Sequence, residues 1–292
     1  MNILAIDIGG TFIKYGVFEG KTLKINGKEK SNASKGYEEL VKSFDLIVDK
    51  VRKDFEIQAI AISTAGVVDV ESGEIIHAGY TIPGYKGFNW KRHVFKKYGL
   101  ECQVDNDVNC ALLGEHSIGS VVDKDDVLML AVGTGIGGAF LKKGKIFRGA
   151  NNCGLEVGYM NIAAGVFEKV ASTSALVDYY KSISGKEDSN GLEIFELAKK
   201  YDEKAMKSID TIMEYLCQGI ANITYILDPK YIVLGGGIME QEEFLRPIIE
   251  EKLQKYMLDL AYEKVEILFA KAGNMAASYG ALYHYYQMSD KL

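Results

Sequence analysis

The chain has 292 residues, of which 48% are hydrophobic and 25% are charged. This composition is typical of a soluble globular protein and excludes a disordered or collagen-like one. At roughly 150 residues per domain, the length predicts two domains. The 34 basic and 40 acidic side chains give a formal net charge of −6 without a block of like charges, which argues against nucleic acids and anionic membranes as partners.

The N-terminal residues and the cysteines predict a cytoplasmic protein. Segment 1–10 has no basic residue and Asp7 interrupts its apolar run, so we expect no signal peptide. The apolar stretch 127–141 contains four glycines and is shorter than the roughly 20 residues of a membrane span. Because the cysteines form no C-x-x-C pair, we expect reduced, mostly buried thiols. They are Cys102, Cys110, Cys153 and Cys217.

The first half of the chain predicts alternating strands and helices. Residues 2–8 form a buried-strand pattern, Gly9-Gly10-Thr11 a tight turn, and residues 13–18 a returning strand. The further predicted elements are a strand at 22–28, a helix at 37–52, a strand at 57–62, a helix at 89–98, a strand at 101–104 and a helix at 108–118.

The second half begins in the same way, with a strand at 127–132, a turn at Gly133-Thr134-Gly135 and a returning strand at 136–141. The elements after it are a strand at 145–148, helices at 168–182, 192–200 and 204–227, a strand at 231–234, a helix at 241–257, a strand at 265–269 and a helix at 274–286. Strands joined by crossover helices imply parallel pairing, so we predict an α/β fold of two weakly similar halves. A cleft between the two domains is the expected ligand site.

Three glycine-rich turns are candidates for binding a nucleotide. They are 7–11 (D-I-G-G-T), 133–138 (G-T-G-I-G-G) and 235–237 (G-G-G). Glycine turns expose backbone N–H groups to phosphate oxygens, and Asp7 can hold a hydrated Mg²⁺. Taken alone, each is explained about as well by an ordinary hairpin or strand-to-helix turn. Neither hairpin matches a Walker A loop or a dinucleotide fingerprint.

Acidic residues follow these turns at predicted element ends. In Asp105-Asn106-Asp107, a carboxylate can accept the proton of a substrate hydroxyl that attacks phosphorus, whereas the alternative is helix N-capping. Glu156 and Glu168 are candidates for hydrogen bonding to sugar hydroxyls. For Glu168 the alternative is a first-turn acid that favours the helix dipole.

Together these motifs resemble the ROK family (repressors, open reading frames and kinases), in the sugar-kinase branch of the actin-like ATPase superfamily. The similarity extends along the whole chain. Besides the three glycine turns, it includes S-T-A-G-V-V-D at 63–69, I-P-G-Y-K-G at 82–87, N-D at 106–107, G-L-E-V-G at 154–158 and the closing G-N-M-A-A-S-Y-G-A at 273–281.

The resemblance implies an actin-like ATPase (ribonuclease H-like) fold with two duplicated α/β domains. The smaller would comprise residues 1–106 and 275–292, and the larger residues 107–274. It implies an ATP- and Mg²⁺-dependent kinase in which Asp107 is the general base for a sugar hydroxyl, usually the 6-OH. The implied sugar contacts are Gly66, Asn106, Glu156, Tyr159 and Glu168. The implied nucleotide contacts are Asp7, which also holds the metal through water, Gly9, Gly10, Thr11, Gly133, Thr134, Gly135, Gly137, Gly235, Gly236 and Gly237.

Two departures from the family pattern bear on metal and substrate. Tyr159 stands where most family kinases have a histidine that contacts the sugar and binds zinc, and residues 160–167 contain no Cys or His. Since four N or S ligands cannot be assembled there, we expect no structural zinc. The family members that lack zinc include kinases of β-glucosides such as cellobiose, and the tyrosine favours a reshaped rim around O1 and O2 of the sugar.

We therefore expect an ATP-dependent kinase of the 6-hydroxyl of a hexose or a β-glucoside. The alternatives are an N-acetylmannosamine or fructose kinase, a sugar sensor that keeps the fold without catalysis, and an acyl-phosphate-forming kinase of the same superfamily. The family's repressors carry an N-terminal helix-turn-helix, and the segment before Asp7 leaves no room for one. A homodimer is expected from the family alone.

Overall fold

The structure, a computed structural model, describes residues 1–79 and 81–289. The strands are β1 (Asn2–Ile8), β2 (Phe12–Glu19), β3 (Thr22–Lys30), β4 (Ala59–Thr64), β5 (Val67–Asp69), β6 (Glu74–His77), β7 (Glu101–Asn106), β8 (Val127–Val132), β9 (Ile136–Lys142), β10 (Lys145–Ile146), β11 (Asn161–Ile162), β12 (Gly165–Val166), β13 (Tyr231–Gly235) and β14 (Glu266–Phe269). The helices are α1 (Tyr37–Val51), α2 (Trp90–Tyr98), α3 (Asp107–Ile118), α4 (Phe167–Ala171), α5 (Thr173–Ser184), α6 (Gly191–Ala198), α7 (Glu203–Leu227), α8 (Glu242–Tyr256), α9 (Asp259–Tyr262) and α10 (Ala276–Met288). These elements confirm the α/β class.

The first sheet has the strand order β3-β2-β1-β4-β7. Strand β1 pairs antiparallel with β2 and parallel with β4, and β4 pairs parallel with β7. Successive side chains of a strand point to opposite faces. In β1, Leu4 and Ile6 therefore pack in the cluster that includes α1 and α2, whereas Ile3 and Ala5 pack with residues of α3 and α10. Both faces of β1 are buried, which explains its nearly continuous apolar sequence.

Helices α3 and α10 pack closely because glycine lies at two of their contacts. A Cβ on Gly114 would overlap the Ala276 carbonyl oxygen, and one on Gly280 would overlap the Cys110 carbonyl oxygen. A larger side chain at either position would force the helices apart. This contact fixes α3 against the sheet, and with it the position of Asp107 at the first residue of the helix.

The second sheet repeats the arrangement of the first, with the order β10-β9-β8-β13-β14. Strand β8 pairs antiparallel with β9 and parallel with β13, and β13 pairs parallel with β14. Its core is a single cluster formed with the helices α4 to α8. In each half a hairpin opens the sheet and parallel strands complete it. The duplication predicted from the two glycine-turn hairpins is thus confirmed by the sheet order.

Contacts divide the chain into two units. The first comprises Met1–Asp123, Arg148–Cys153 and the chain from Ala272 onward, and the second comprises Lys124–Phe147 and Gly154–Lys271. Helix α3 belongs to the first unit because it packs on α10. The domain boundaries expected from the sequence, 1–106 with 275–292 against 107–274, stay a prediction, and residues 290–292 lie outside the described part.

Several elements differ from the sequence prediction. The helix expected at 168–182 is two helices, α4 and α5, because Ser172 is extended and its hydroxyl accepts a hydrogen bond from Ala175 N (3.2 Å). The short strands β5, β6, β11 and β12 and the single-turn helix α9 were not predicted. The four cysteines are free, and three of them are buried, as expected, while Cys153 is exposed. Among the described residues, no helix is long and apolar enough to cross a bilayer.

Candidate active site

Asp7 lies near the end of β1, beside the parallel strand β4. The register pairs it with Ser63, whose hydroxyl donates a hydrogen bond to Asp7 Oδ1 (2.8 Å). Burial raises the pKa of Asp7 above its usual value, against the opposing effects of the Ser63 hydrogen bond and the charge of Lys14. A carboxylate in this environment is stabilised by an additional cation, so its chemistry fits the proposed metal.

The turn after Asp7 is held by the end of β3. The Ser31 hydroxyl donates to the Gly10 carbonyl (2.7 Å), and Ser31 N donates to the Thr11 carbonyl (3.0 Å). Gly10 and Thr11 are exposed, and a Cβ on Gly10 would meet no atom within 4 Å. The backbone of this turn is therefore fixed from one side and open on the other, as close approach of a phosphate requires.

The motif 105–107 divides its functions among its three residues. Asn106 is the N-cap of α3, because its Oδ1 accepts hydrogen bonds from Val108 N (2.8 Å) and Asn109 N (3.2 Å). Its Nδ2 donates to the carbonyl of Gly66 (3.0 Å), which ties the end of β7 to the turn after β4. Asp107 is the first residue of the helix and is half-buried. The capping alternative is thus confirmed for Asn106, which is brought together with Gly66.

Asp105 is completely buried and forms a bidentate ion pair with Arg148. The two guanidinium nitrogens Nη1 and Nη2 lie 2.7 and 2.6 Å from Oδ1 and Oδ2. Oδ1 also accepts hydrogen bonds from Asn106 N (2.7 Å) and Asn109 Nδ2 (3.0 Å). Although burial alone would raise it, the pKa of Asp105 is held below its usual value, with the positive charges and hydrogen bonds of its neighbours as the cause. Breaking such a pair leaves an uncompensated charge and costs about 3–5 kcal/mol.

A buried aromatic group lies near Asp107. The Tyr85 hydroxyl is within hydrogen-bond distance of Thr64 Oγ1 and accepts from Trp90 Nε1, both at 2.6 Å. Burial raises the pKa of Tyr85, and the charge of Asp107 raises it further. Tyr85 is therefore neutral, and its hydroxyl ties the I-P-G-Y-K-G segment to the end of β4.

Gly66, two residues beyond Thr64, has φ +100, and a Cβ there would lie 2.7 Å from the His77 carbonyl oxygen.

In the second unit, two of the glycine segments meet. Gly236 has φ +101, and a Cβ on it would overlap the carbonyl oxygen of Val132, the residue before the turn 133–135. Gly133 N donates to the Gly135 carbonyl, and Thr173 N, at the start of α5, donates to the Gly133 carbonyl, both at 2.9 Å. Turn 133–135 is thus held by the segment 235–237 and by α5.

The remaining predicted nucleotide residues of this unit differ in their surroundings. Thr134 is exposed, and Cβ atoms on Gly133 and Gly237 would meet nothing within 4 Å. Gly235 ends β13 and lies against Met129. Gly137 lies inside β9, opposite Ala131. The turn is therefore open at Gly133 and Thr134, whereas Gly137 belongs to the ladder.

Glu168 lies beside both the glycine turn and the segment 154–158. Its Oε2 would be 2.5 Å from a Cβ on Gly135 and 3.2 Å from one on Gly158. It is in the first turn of α4, as the alternative held, and Lys169 Nζ lies 3.5 Å from its Oε1. Both glycines leave room for this carboxylate, so the structure brings together three segments that were predicted separately.

Glu156 directly precedes the single-turn 3₁₀ helix Val157–Tyr159, and Tyr159 is its last residue. Glu156 is half-buried, and its carbonyl accepts a hydrogen bond from Tyr159 N (3.3 Å). The Tyr159 side chain is 57% exposed. Directly after it, β11 and β12 form a small antiparallel hairpin in the stretch where the resemblance implied a zinc cluster in other members.

The described residues contain no cluster of side chains that could bind a metal ion together. Within 1–79 and 81–289, no three or more His, Cys, Asp or Glu side chains are placed to hold a metal ion. The absence of structural zinc stays a prediction. A hydrated Mg²⁺ needs few protein carboxylates, so Asp7 alone fits it.

Sequence reasoning did not find three residues that support the site. Ser31 and Ser63 bind the turn and the carboxylate of the first hairpin, and Arg148 pairs with Asp105. Ser63 was within a family-like motif, and its place beside Asp7 follows from parallel pairing of the two strand ends. Arg148 gave no signal, because its partner lies 43 residues earlier in the chain.

Comparison with known proteins identifies the family. The ROK family profile matches residues 3–287. A beta-glucoside kinase of Listeria monocytogenes is 31% identical over 303 residues, which cover 100% of this chain and 99% of that protein. A ROK family protein from Streptococcus pneumoniae, crystallised with sucrose, has a TM-score of 0.86 at 28% identity and covers 100% of both chains. A ROK family glucokinase from Streptomyces griseus, in complex with glucose and AMPPNP, has a TM-score of 0.83 at 26% identity and covers 96% of this chain and 98% of that one. The chain therefore belongs to the ROK family, in which two of these relatives are named as sugar kinases, a beta-glucoside kinase and a glucokinase.

Proposed function

We propose that the protein is an ATP- and Mg²⁺-dependent carbohydrate kinase that phosphorylates the 6-hydroxyl of a hexose or a β-glucoside. The observation that carries the proposal is that the three residues of segment 105–107 have different surroundings and contacts. Asp105 is completely buried and paired, and Asn106 caps the helix, whereas Asp107 is half-buried at the helix N-terminus. Asp107 is thus the carboxylate of this motif that retains solvent access, and the positive end of the α3 dipole stabilises its negative charge.

The reaction needs one proton acceptor. The substrate hydroxyl oxygen attacks the γ-phosphorus of ATP, forming the new O–P bond while the bond to the β,γ-bridging oxygen breaks and ADP leaves. Asp107 accepts the hydroxyl proton during the attack and later releases it to solvent. Asn106, the N-cap of α3, donates a hydrogen bond to the Gly66 carbonyl, which places both residues beside Asp107. They are therefore proposed to orient the sugar.

Glycine turns are proposed to hold the ATP. Residues 9–11 and 133–135 are proposed to contact the phosphates at the exposed positions Gly10, Thr11 and Thr134, the last through its hydroxyl. Residues 235–237 are proposed to contact the adenosine through the exposed Gly236 and Gly237. A bound Mg²⁺ would neutralise charge on the β- and γ-phosphates. Asp7 would hold it through water, with Ser63 orienting the carboxylate.

Tyr159 and the two glutamates are proposed to contact the sugar. Glu156 and Glu168 are acceptors for vicinal hydroxyls, and Glu168 lies against Gly135 and Gly158. The Tyr159 ring is largely exposed, so it can cover an aglycone attached at O1. A relative named beta-glucoside kinase supports the same preference.

A coupled assay of ADP release tests the proposal. The purified protein is supplied with ATP, Mg²⁺ and, in turn, glucose, cellobiose, N-acetylmannosamine, N-acetylglucosamine and fructose. We expect ADP release with glucose or cellobiose, and ³¹P and ¹³C NMR of the product should place the phosphate on O6. Sugar binding without ADP release would instead identify a sensor, and turnover with acetate alone would identify an acyl-phosphate-forming kinase.

From the family alone, we also propose that the protein is cytoplasmic and forms a homodimer. Its proposed binding partner is a small sugar, the substrate. Sedimentation equilibrium of the purified chain measures the oligomeric state. A mass of one chain at micromolar concentration would reject the dimer without bearing on the reaction.

A further inference from the structure

We propose that Arg148 is a positioning residue for the transfer reaction, acting on the candidate base through Asp105. This inference rests on the proposed function, since it assigns a role in the same reaction. Arg148 is the first residue of a short segment, Arg148–Cys153, that belongs to the first unit although the sequence before and after it belongs to the second. Its guanidinium holds both oxygens of the Asp105 carboxylate.

The contacts lead from Arg148 to the start of α3 without a gap. The Asp105 carboxylate that Arg148 fixes accepts the backbone N–H of Asn106 and the side-chain amide of Asn109. Asn106 in turn caps α3 and holds the Gly66 carbonyl. Asp107 lies between Asn106 and Asn109, both of which donate a hydrogen bond to the Asp105 carboxylate. Its backbone is therefore set by the orientation of a carboxylate two residues earlier.

The ion pair of Asp105 and Arg148 is buried, so its formation requires the desolvation of both charges. Asp105 is fully buried, and the Arg148 side chain is only 20% exposed. A buried ion pair is weak evidence for stability, because well-packed apolar residues of similar volume often replace one without loss. We therefore infer that this pair serves to fix a local geometry. Arginine suits it because its planar fork fixes a carboxylate in one plane, which a lysine ammonium does not.

A second ionisable side chain, His284, also lies beside Asp105. Its Nδ1 is 3.6 Å from Asp105 Oδ2, beyond a hydrogen bond, and its ring is 1% exposed. Burial lowers the pKa of His284 to about 4, so the ring is neutral near pH 7. In the unchanged protein, Arg148 is therefore the full positive partner of the Asp105 carboxylate, and its charge is one of the causes that lower the pKa of His284.

Steady-state kinetics of Arg148→Lys and Arg148→Ala test the proposal. Arg148→Lys keeps the charge and loses the fork, so it preserves the fold best, and we expect kcat to fall about 10-fold with the KM for ATP unchanged. For Arg148→Ala we expect a fall of about 100-fold, the effect of a misplacement of about 1 Å. Added guanidinium ion, below concentrations that unfold the protein, should partly restore kcat of Arg148→Ala. The matched control is Arg246→Ala, which removes an arginine that bridges Glu242 and Glu250 on α8, and its kcat should not change.

A double variant separates positioning from general destabilisation. If Arg148 acts through the base, adding Arg148→Lys to Asp107→Asn should lower kcat no further than Asp107→Asn alone. Full kcat in a folded Arg148→Lys, or an additive loss in the double variant, would overturn the inference while leaving the kinase intact. An unmutated protein that turns over none of the sugars would overturn the proposed function and this inference with it.

Discussion

Ser63 Oγ donates a hydrogen bond to Asp7 Oδ1 at 2.8 Å, and the two residues are also register partners in adjacent parallel strands. The hydroxyl comes from a completely buried serine. The carboxylate it binds has a pKa raised by burial. Ser63 therefore stabilises the ionised form of Asp7, the form that the proposed metal site requires.

Ser63→Ala is expected to weaken the use of Mg²⁺. Loss of the donor raises the pKa of Asp7 further and leaves its carboxylate less well oriented. Because a hydrogen bond to a charged group contributes about 1.5–3 kcal/mol, the half-saturating Mg²⁺ concentration should rise about 10-fold or more. It is measured from initial rates at fixed ATP over a Mg²⁺ series. Ser43→Ala, at another buried serine that donates to a backbone carbonyl, is the control and should leave it unchanged.

Gly236→Ala is expected to damage the nucleotide site and the fold. Gly236 has φ 101° and ψ 165°, a conformation open almost only to glycine, and a Cβ would overlap the Val132 carbonyl before the turn 133–135. We expect a loss of about 3 kcal/mol in the free energy of unfolding and a higher Kd for ATP. Urea unfolding and calorimetric titration measure the two.

Gly237→Ala provides the matched control one residue later. A Cβ on Gly237 would meet nothing within 4 Å. Its free energy of unfolding should stay within about 1 kcal/mol of the unchanged protein. Equal losses for Gly236→Ala and Gly237→Ala would show that close packing of Gly236 on Val132 is not what holds the turn.

His284 predicts a loss of stability in mild acid. Burial lowers its pKa from 6.5 to about 4 in the folded protein. Between these two pH values, the unfolded chain takes up a proton at His284 that the folded chain does not. The free energy of unfolding is therefore undiminished above pH 6.5 and decreases as the pH falls toward 4. At pH 4 the loss amounts to about 3 kcal/mol. Urea unfolding between pH 7 and pH 4 measures it, with His284→Gln as the comparison. A variant whose stability falls as steeply as that of the unchanged chain would contradict this role.

Much of the sheet architecture could be predicted because apolar periodicity and glycine turns are local signals. Strands β1 and β8 have the predicted bounds, and both hairpins turn at the predicted glycines. The break at Ser172 was missed because helical apolar spacing continues across it. The extended Ser172 caps α5, and the Thr173 N–H is bound to the Gly133 carbonyl, a tertiary contact that adds to this local one.

The sequence singles out the residues of the candidate site, which stay a prediction, but it does not give the contacts that these residues make. The sequence leaves open which residue of 105–107 caps the helix, and the structure assigns the cap to Asn106. The pairing of Asp105 with Arg148 and the place of Glu168 beside Gly135 join distant parts of the chain. No local pattern encodes such contacts, since they follow from how the sheets and helices pack.

Turnover by Asp107→Asn tests the central claim most directly. The substitution keeps the size of the side chain and removes the proton acceptor. General-base catalysis contributes about 10²–10⁴-fold, so kcat with the best sugar of the panel should fall by that factor while the Kd for ATP and the melting temperature stay unchanged. A folded Asp107→Asn that binds ATP and still turns over within about threefold of the unchanged protein would contradict the assignment of the base, and with it the account of the site.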